Sequence, residues 1–241
     1  MKLTLSERNV VAPKKTELLL GIFCWLMFEF GFALLLPLIF DSRKADDVYW
    51  MNVTFFVGNF LLVGCVFFSF LRRSSIPLFP KRFFATVGIG LILYQVLSFV
   101  AEWIAVDILL FYNFFIEGFA FSNPNQAAIN GLVSISPIPM YVCMVLLAPV
   151  TEECLVRGMI FAPLCRKKPW VAHLVSIVLF AAMHVYGYIG SAPTLSLVLS
   201  FLMYLPSGFV LNWAYQRTLS IYAPIALHSI INLSSILYNY L

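Results

Sequence analysis

Read along the chain, the hydrophobic positions do not alternate with polar ones at a period of 2 or 3.6; they run on for about 20 residues at a time and are broken by short polar or basic segments. A bilayer core of about 30 Å needs roughly 20 apolar residues in a helix. Runs of that length lie at Leu18–Phe40, Val48–Leu71, Phe83–Val106, Ile138–Leu164, Trp170–Gly187, Leu195–Tyr215 and Ile221–Tyr240. The pattern therefore predicts an all-α, polytopic transmembrane helix bundle of seven to eight spans. Asp107–Phe121 is apolar and aromatic but short for a crossing; it extends the third span outward, lies in the interface or re-enters, and is the candidate eighth helix. Ser122–Pro139, with Asn123-Pro-Asn125 and Pro137-Ile-Pro139, reads as an outer loop.

Composition agrees. Of 241 residues 62% are hydrophobic and 11% charged, where soluble domains average about 25% charged. The basic residues set the orientation. With the N-terminus in the cytoplasm, Lys2, Arg8, Lys14, Lys15, Arg72, Arg73, Lys81, Arg82, Arg166, Lys167, Lys168 and Arg217 share one side, and only Arg43 and Lys44 fall on the other. This positive-inside bias accounts for the net charge of +4, which is then no sign of a nucleic-acid partner. The first span is longer than a signal-peptide core and lacks a small-residue cleavage pattern, so it is expected to stay attached. Residues 1–241 read as one membrane domain.

Cys24, Cys65, Cys143, Cys154 and Cys165 are single, without a Cys-x-x-Cys pair, and read as buried thiols; Cys165, beside a basic loop, is the one candidate for acylation. Asn52 and Asn59 are expected to hydrogen-bond between helices. Glu29 and Glu102 are the intramembrane acids left to account for.

The chemistry concentrates in Leu146-Leu-Ala-Pro-Val-Thr-Glu-Glu-Cys-Leu-Val-Arg-Gly158. Each ionisable group in hydrocarbon costs at least about 2.5 kcal/mol and marks function by default. Glu153 and Arg157 are four apart and share a helix face, while Glu152 points about 100° away. Arg157 can hold Glu153, which leaves Glu152 to handle a proton. A buried ion-pair staple would need one acid, not two. His184 in Phe180-x-x-x-His184 and the pair His228-x-x-x-Asn232 lie on later spans. Counted from the cytoplasmic helix ends, Glu152, His184, His228 and Asn232 lie roughly 18, 21, 11 and 17 Å deep. Polar groups from three helices thus reach a similar level. His173, near the start of its span, reads as interfacial.

Glu, two His and Asn suit amide hydrolysis by activated water: Glu152 as base, His184 holding the water, His228 and Asn232 donating to the oxyanion. No His-Glu-x-x-His is present, although zinc on Glu152, His184 and His228 stays geometrically open. Ser207 has no evident base.

Glu152-Glu153-x-x-x-Arg157, Phe180-x-x-x-His184 and His228-x-x-x-Asn232 resemble the three ordered motifs of the CPBP family, the CAAX proteases and bacteriocin-processing enzymes, or Abi family. The match covers about Glu152 to Asn232, the C-terminal third of the chain, within a motif-bearing catalytic half of roughly 138–241. The resemblance implies a glutamate-type intramembrane endopeptidase akin to CAAX prenyl protease 2, with Glu152, His184, His228 and Asn232 catalytic, Glu153, Arg157 and Phe180 supporting, and no cofactor. Its expected partners are the lipid bilayer and a membrane-associated peptide or lipidated protein. The short chain and small loops are more similar to prokaryotic members, which implies a multi-pass protein of a prokaryotic plasma membrane acting on a bacteriocin or signalling-peptide precursor. Two other readings compete: a non-catalytic family member serving as membrane scaffold or bacteriocin-immunity protein, against which the intact motifs count, and a proton-coupled transporter, against which the lack of repeat symmetry counts.

Overall fold

A computed structural model describes residues 11–74 and 81–240, with side chains as far as Leu237. Lys2 and Arg8 of the basic set lie outside the described residues. Among the described residues eight longer helices follow one another: α1 Lys15–Leu38, α2 Ala45–Val66 with the short helix Phe68–Arg73 after it, α3 Lys81–Phe115, α4 Pro124–Ile135, α5 Pro137–Cys165, α6 Pro169–Met183, α7 Thr194–Thr218 and α8 Tyr222–Tyr240. Among the described residues no β-strand forms, and α1, α2, α3, α5, α6 (to Tyr188) and α7 are long and apolar enough to cross a membrane. The protein is a polytopic helical membrane protein.

Of the three readings of Asp107–Phe121 the first holds as far as Phe115: Asp107–Phe115 continues α3 without a break, so that helix runs for 35 residues, or about 52 Å, and adds no crossing. The extra helix is instead α4, inside the expected loop. Its prolines had signalled turns, yet Pro124 and Pro137 occupy first helical positions, where a missing N–H has no partner to lose. Asn123 caps α4 by accepting from the Gln126 amide at 3.2 Å.

The basic ends of the helices are tied together. Arg73 pairs with Glu17 of α1 at 2.6 Å. The Ser220 hydroxyl donates to the Ser74 carbonyl at 2.7 Å, Tyr222 to that of Leu71 at 3.2 Å, and Tyr215 to that of Val11. The opposite end carries α4, held against α2 and α5 through Tyr49, Val133, Met140 and Met144. α5 runs through the middle and is the most enclosed span, while α1 and α3 present mostly apolar surface outward, including Leu34, Phe99 and Phe111. No membrane partner for those side chains is needed inside the protein, since hydrocarbon solvates them.

α5 is not a regular helix. It widens into π-helical turns at Cys143–Leu147 and Cys154–Phe161, each ending two residues before a proline, Pro149 and Pro163. A proline ring crowds the carbonyl four residues back and offers it no N–H, and a wide turn relieves that crowding. A third wide turn, Met27–Gly31, carries Glu29 on α1. Asn52 and Asn59 bond back to their own helix, to the carbonyls of Val48 and Phe55 at 2.8 and 3.0 Å, rather than across helices. Cys24, Cys143, Cys154 and Cys165 are buried and only Cys65 is exposed; the burial of Cys165 removes it as an acylation site.

Candidate active site

Glu153 and Arg157 lie one turn apart on α5, both fully enclosed, and pair at 3.1 Å. A guanidinium in this setting needs every N–H engaged. Arg157 Nη2 donates to the Gly208 carbonyl at 3.0 Å and Nε to Asn212 Oδ1 at 3.1 Å, both on α7, and Ser176 of α6 donates to the same Asn212 oxygen at 2.9 Å. The Phe180 ring lies 4.4 Å from the guanidinium carbon, a cation–π contact. The arginine thus joins α5, α6 and α7 behind the site. Asn212, Ser176 and Gly208 escape a motif reading; an Asn and a Ser standing alone in apolar spans were the available signal.

Glu153 Oε1 also accepts from His228 Nδ1 of α8 at 2.9 Å. A carboxylate can only accept, so the hydrogen sits on Nδ1 and Nε2 is turned toward the other acid. His184, at the end of α6, is fixed in the same sense, its Nδ1 donating to the Phe180 carbonyl at 2.7 Å. Both Nε2 atoms face Glu152 Oε2, at 3.7 Å for His184 and 3.8 Å for His228. Glu152 is 9% exposed, and its Oε2 has no hydrogen-bond partner among the described residues.

Aromatic rings hold the imidazoles. Phe180 touches both, with ring centroids 4.7 Å from His184 and 5.5 Å from His228. Tyr204 of α7 stacks on His184 at 4.3 Å and 28°, and its hydroxyl accepts from Asn125 of α4 at 2.9 Å. The sequence pattern did not single out Tyr204. Asn232, one turn beyond His228, donates to the Met144 carbonyl in the first wide turn of α5 at 2.9 Å, which leaves its second amide hydrogen. All seven motif residues are therefore brought together, and Arg157, Glu153 and Phe180 stand behind the two histidines. His173 stands apart, edge-on to Phe161 and 3.1 Å from Gln216.

Glu152, His184, His228 and Asn232 line a cavity of about 720 Å³. From a floor at Glu152 and His228 it extends past Ser207 and Tyr204 to α4 and the helix ends remote from the basic clusters. Among the described residues no group of three His, Cys, Asp or Glu has the arrangement of a metal site.

Residues 134–234 match the model of the Rce1-like family, described as type II CAAX prenyl endopeptidase Rce1-like. The chain is 25% identical over 209 residues to "Putative membrane peptidase YdiL" of Bacillus subtilis (strain 168), covering 86% of this chain and 78% of that one. No solved structure matches. The match of residues 134–234 spans all three motifs, and this part of the chain is similar to the Rce1-like family of type II CAAX prenyl endopeptidases.

Proposed function

We propose that this protein is an intramembrane endopeptidase that hydrolyses a peptide bond with water activated by Glu152, without a metal. The observation that carries the proposal is the convergence of two imidazole Nε2 atoms on an unpartnered, enclosed carboxylate oxygen at 3.7 and 3.8 Å. Those separations exceed a direct hydrogen bond and suit one bridging water. Its first proton goes to Glu152 and its second hydrogen is accepted by His184 Nε2. The water oxygen bonds to the substrate carbonyl carbon as the carbonyl electron pair moves onto oxygen. That oxyanion accepts hydrogen bonds from His228 Nε2 and from the free amide hydrogen of Asn232. When the C–N bond breaks, Glu152 returns its proton to the leaving nitrogen.

The same three groups could offer a carboxylate and two imidazole nitrogens to zinc, so a chelator distinguishes the two chemistries. With the basic helix ends in the cytoplasm, the cavity opens toward the outer side of a prokaryotic plasma membrane, and the substrate is a membrane-associated peptide or the segment of a membrane protein. Purified protein in detergent, incubated with a library of apolar and prenylated peptides and read by mass spectrometry, tests the activity. Cleavage by the wild type that is absent from Glu152→Gln supports the reading; cleavage that persists in Glu152→Gln contradicts it.

A further inference from the structure

A second recess lies on the membrane-facing side of the bundle and shares no residue with the catalytic cavity. It is a groove of about 600 Å³ between α2, α5 and α8, with Gly64, Cys65, Phe68 and Leu71 along one wall and Val150 and Tyr222 on the facing helices. Gly64 makes the wall concave, since a Cβ there would meet nothing within 4 Å. The Tyr222 hydroxyl, donating to the Leu71 carbonyl at 3.2 Å, ties α8 to the end of the groove. From Phe60 to Leu71 the groove runs roughly 16 Å, against about 15 Å for half of a 30 Å hydrocarbon core. It therefore covers one leaflet, the one beside the basic helix ends, which the positive-inside bias places in the cytoplasm.

Length and charge together identify the occupant. A partner helix crossing the membrane would need a seat about twice as long, whereas a lipid acyl chain extends through one leaflet. At the headgroup end Arg72 is exposed, with its guanidinium carbon over the ring of Phe68 in the groove wall, 6.0 Å from the centroid. Its neighbour Arg73 is held by Glu17, but among the described residues no carboxylate pairs with Arg72. We propose that this groove binds an anionic phospholipid of the cytoplasmic leaflet, with one acyl chain laid along Gly64 and Phe68 and the phosphate on Arg72. A gap between helices that no side chain fills forfeits dispersion contacts, and a hydrocarbon chain restores them. The guanidinium supplies the preference for a negative headgroup over a neutral one. The site stands whether or not the chain is a peptidase.

The test is native mass spectrometry of the full chain, released from detergent micelles that contain equal amounts of phosphatidylglycerol and phosphatidylcholine with the same acyl chains. The wild type is expected to retain the anionic lipid about 5-fold over the zwitterionic one, the scale of one basic side chain at an anionic surface. Arg72→Gln brings that ratio toward one. Arg217→Gln, which removes an exposed charge over Trp213 at the same end but outside the groove, leaves it unchanged. Gly64→Leu fills the recess and lowers retention of both lipids by about 5-fold or more, through the apolar contact the chain loses. Cys65 is an exposed cysteine in the same groove, so its alkylation blocks the site in an unmutated chain and gives the same loss even if Gly64→Leu fails to fold. Equal retention of the two lipids by the wild type, or equal loss of preference in the Arg72 and Arg217 variants, overturns the proposal. Retention that survives both the leucine and the alkylated thiol does so too. A wild-type dimer that Gly64→Leu converts to monomer would make the groove a seat for a second copy of the chain. Displacement of the lipid by a farnesylated peptide would make it a subsite for a prenyl group, and either result overturns the lipid assignment.

Discussion

His228 donates from Nδ1 to Glu153 across 2.9 Å, and this bond fixes which nitrogen of the ring faces Glu152. Glu153 thereby links Arg157 to the reacting groups without lining the cavity itself. Replacing it by Gln keeps the shape, removes the charge beside His228 and leaves Arg157 buried without its carboxylate. Turnover of Glu153→Gln is expected to fall by about 10- to 100-fold, the usual effect of removing a group that orients a site histidine. Its unfolding temperature in detergent is expected to fall as well, because an unpaired buried charge is strongly destabilising. Wild-type turnover in this variant would show that the hold of Glu153 on His228 does not matter.

Asn232 has two amide hydrogens and one observed acceptor, the Met144 carbonyl. If the second serves the oxyanion, Asn232→Ala loses about 10²–10³ in kcat. A near-normal kcat with lowered thermal stability would reduce Asn232 to a tie between α8 and α5. Steady-state kinetics beside a melting curve separates the two.

Tyr204 is expected to position His184 through its ring rather than its hydroxyl. Tyr204→Phe keeps the stack and loses the Asn125 bond, so turnover should stay within about 3-fold, whereas Tyr204→Leu frees the imidazole and should cost 10-fold or more, as small misplacements of catalytic groups do. Equal losses in both variants would move the effect to the Asn125 contact and α4.

At Gly208 α7 packs tightly on α6. A Cβ there would meet the Ile177 Cα at 3.1 Å, and the Gly208 carbonyl is also an acceptor for Arg157. Gly208→Ala is expected to destabilise by about 1–3 kcal/mol, the cost of overpacking a tight contact, with the melting temperature in detergent as the readout. An unchanged melting temperature would mean that the two helices can part without loss.

Much of this was legible in the residues. Apolar runs marked the six helices long and apolar enough to cross, although the third runs nine residues past its expected end and the seventh run, Ile221–Tyr240, forms a helix that is not among those six. Similar depth on three helices, reached by Glu152, His184 and Asn232 with His228 one turn before it, points in the sequence to one cavity. Other features escaped for physical reasons. The segment of α4 reads as a loop in the sequence because Pro124 and Pro137 are turn signals as readily as helix starters. The acceptors of Arg157 are a backbone carbonyl and an isolated Asn, which no spacing rule connects to α5. The wide turns that set the facing of Glu29 and Arg157 depend on how a helix relaxes around its prolines and neighbours, and that is a property of packing.

The central claim is water activation by Glu152 without a metal, and the rate of peptide cleavage by the purified protein in a strong zinc chelator tests it most directly, with Glu152→Gln run alongside. A rate unchanged by the chelator and abolished by the substitution is the expected result. A rate lost to the chelator and restored by added zinc would contradict the account and make Glu152, His184 and His228 metal ligands.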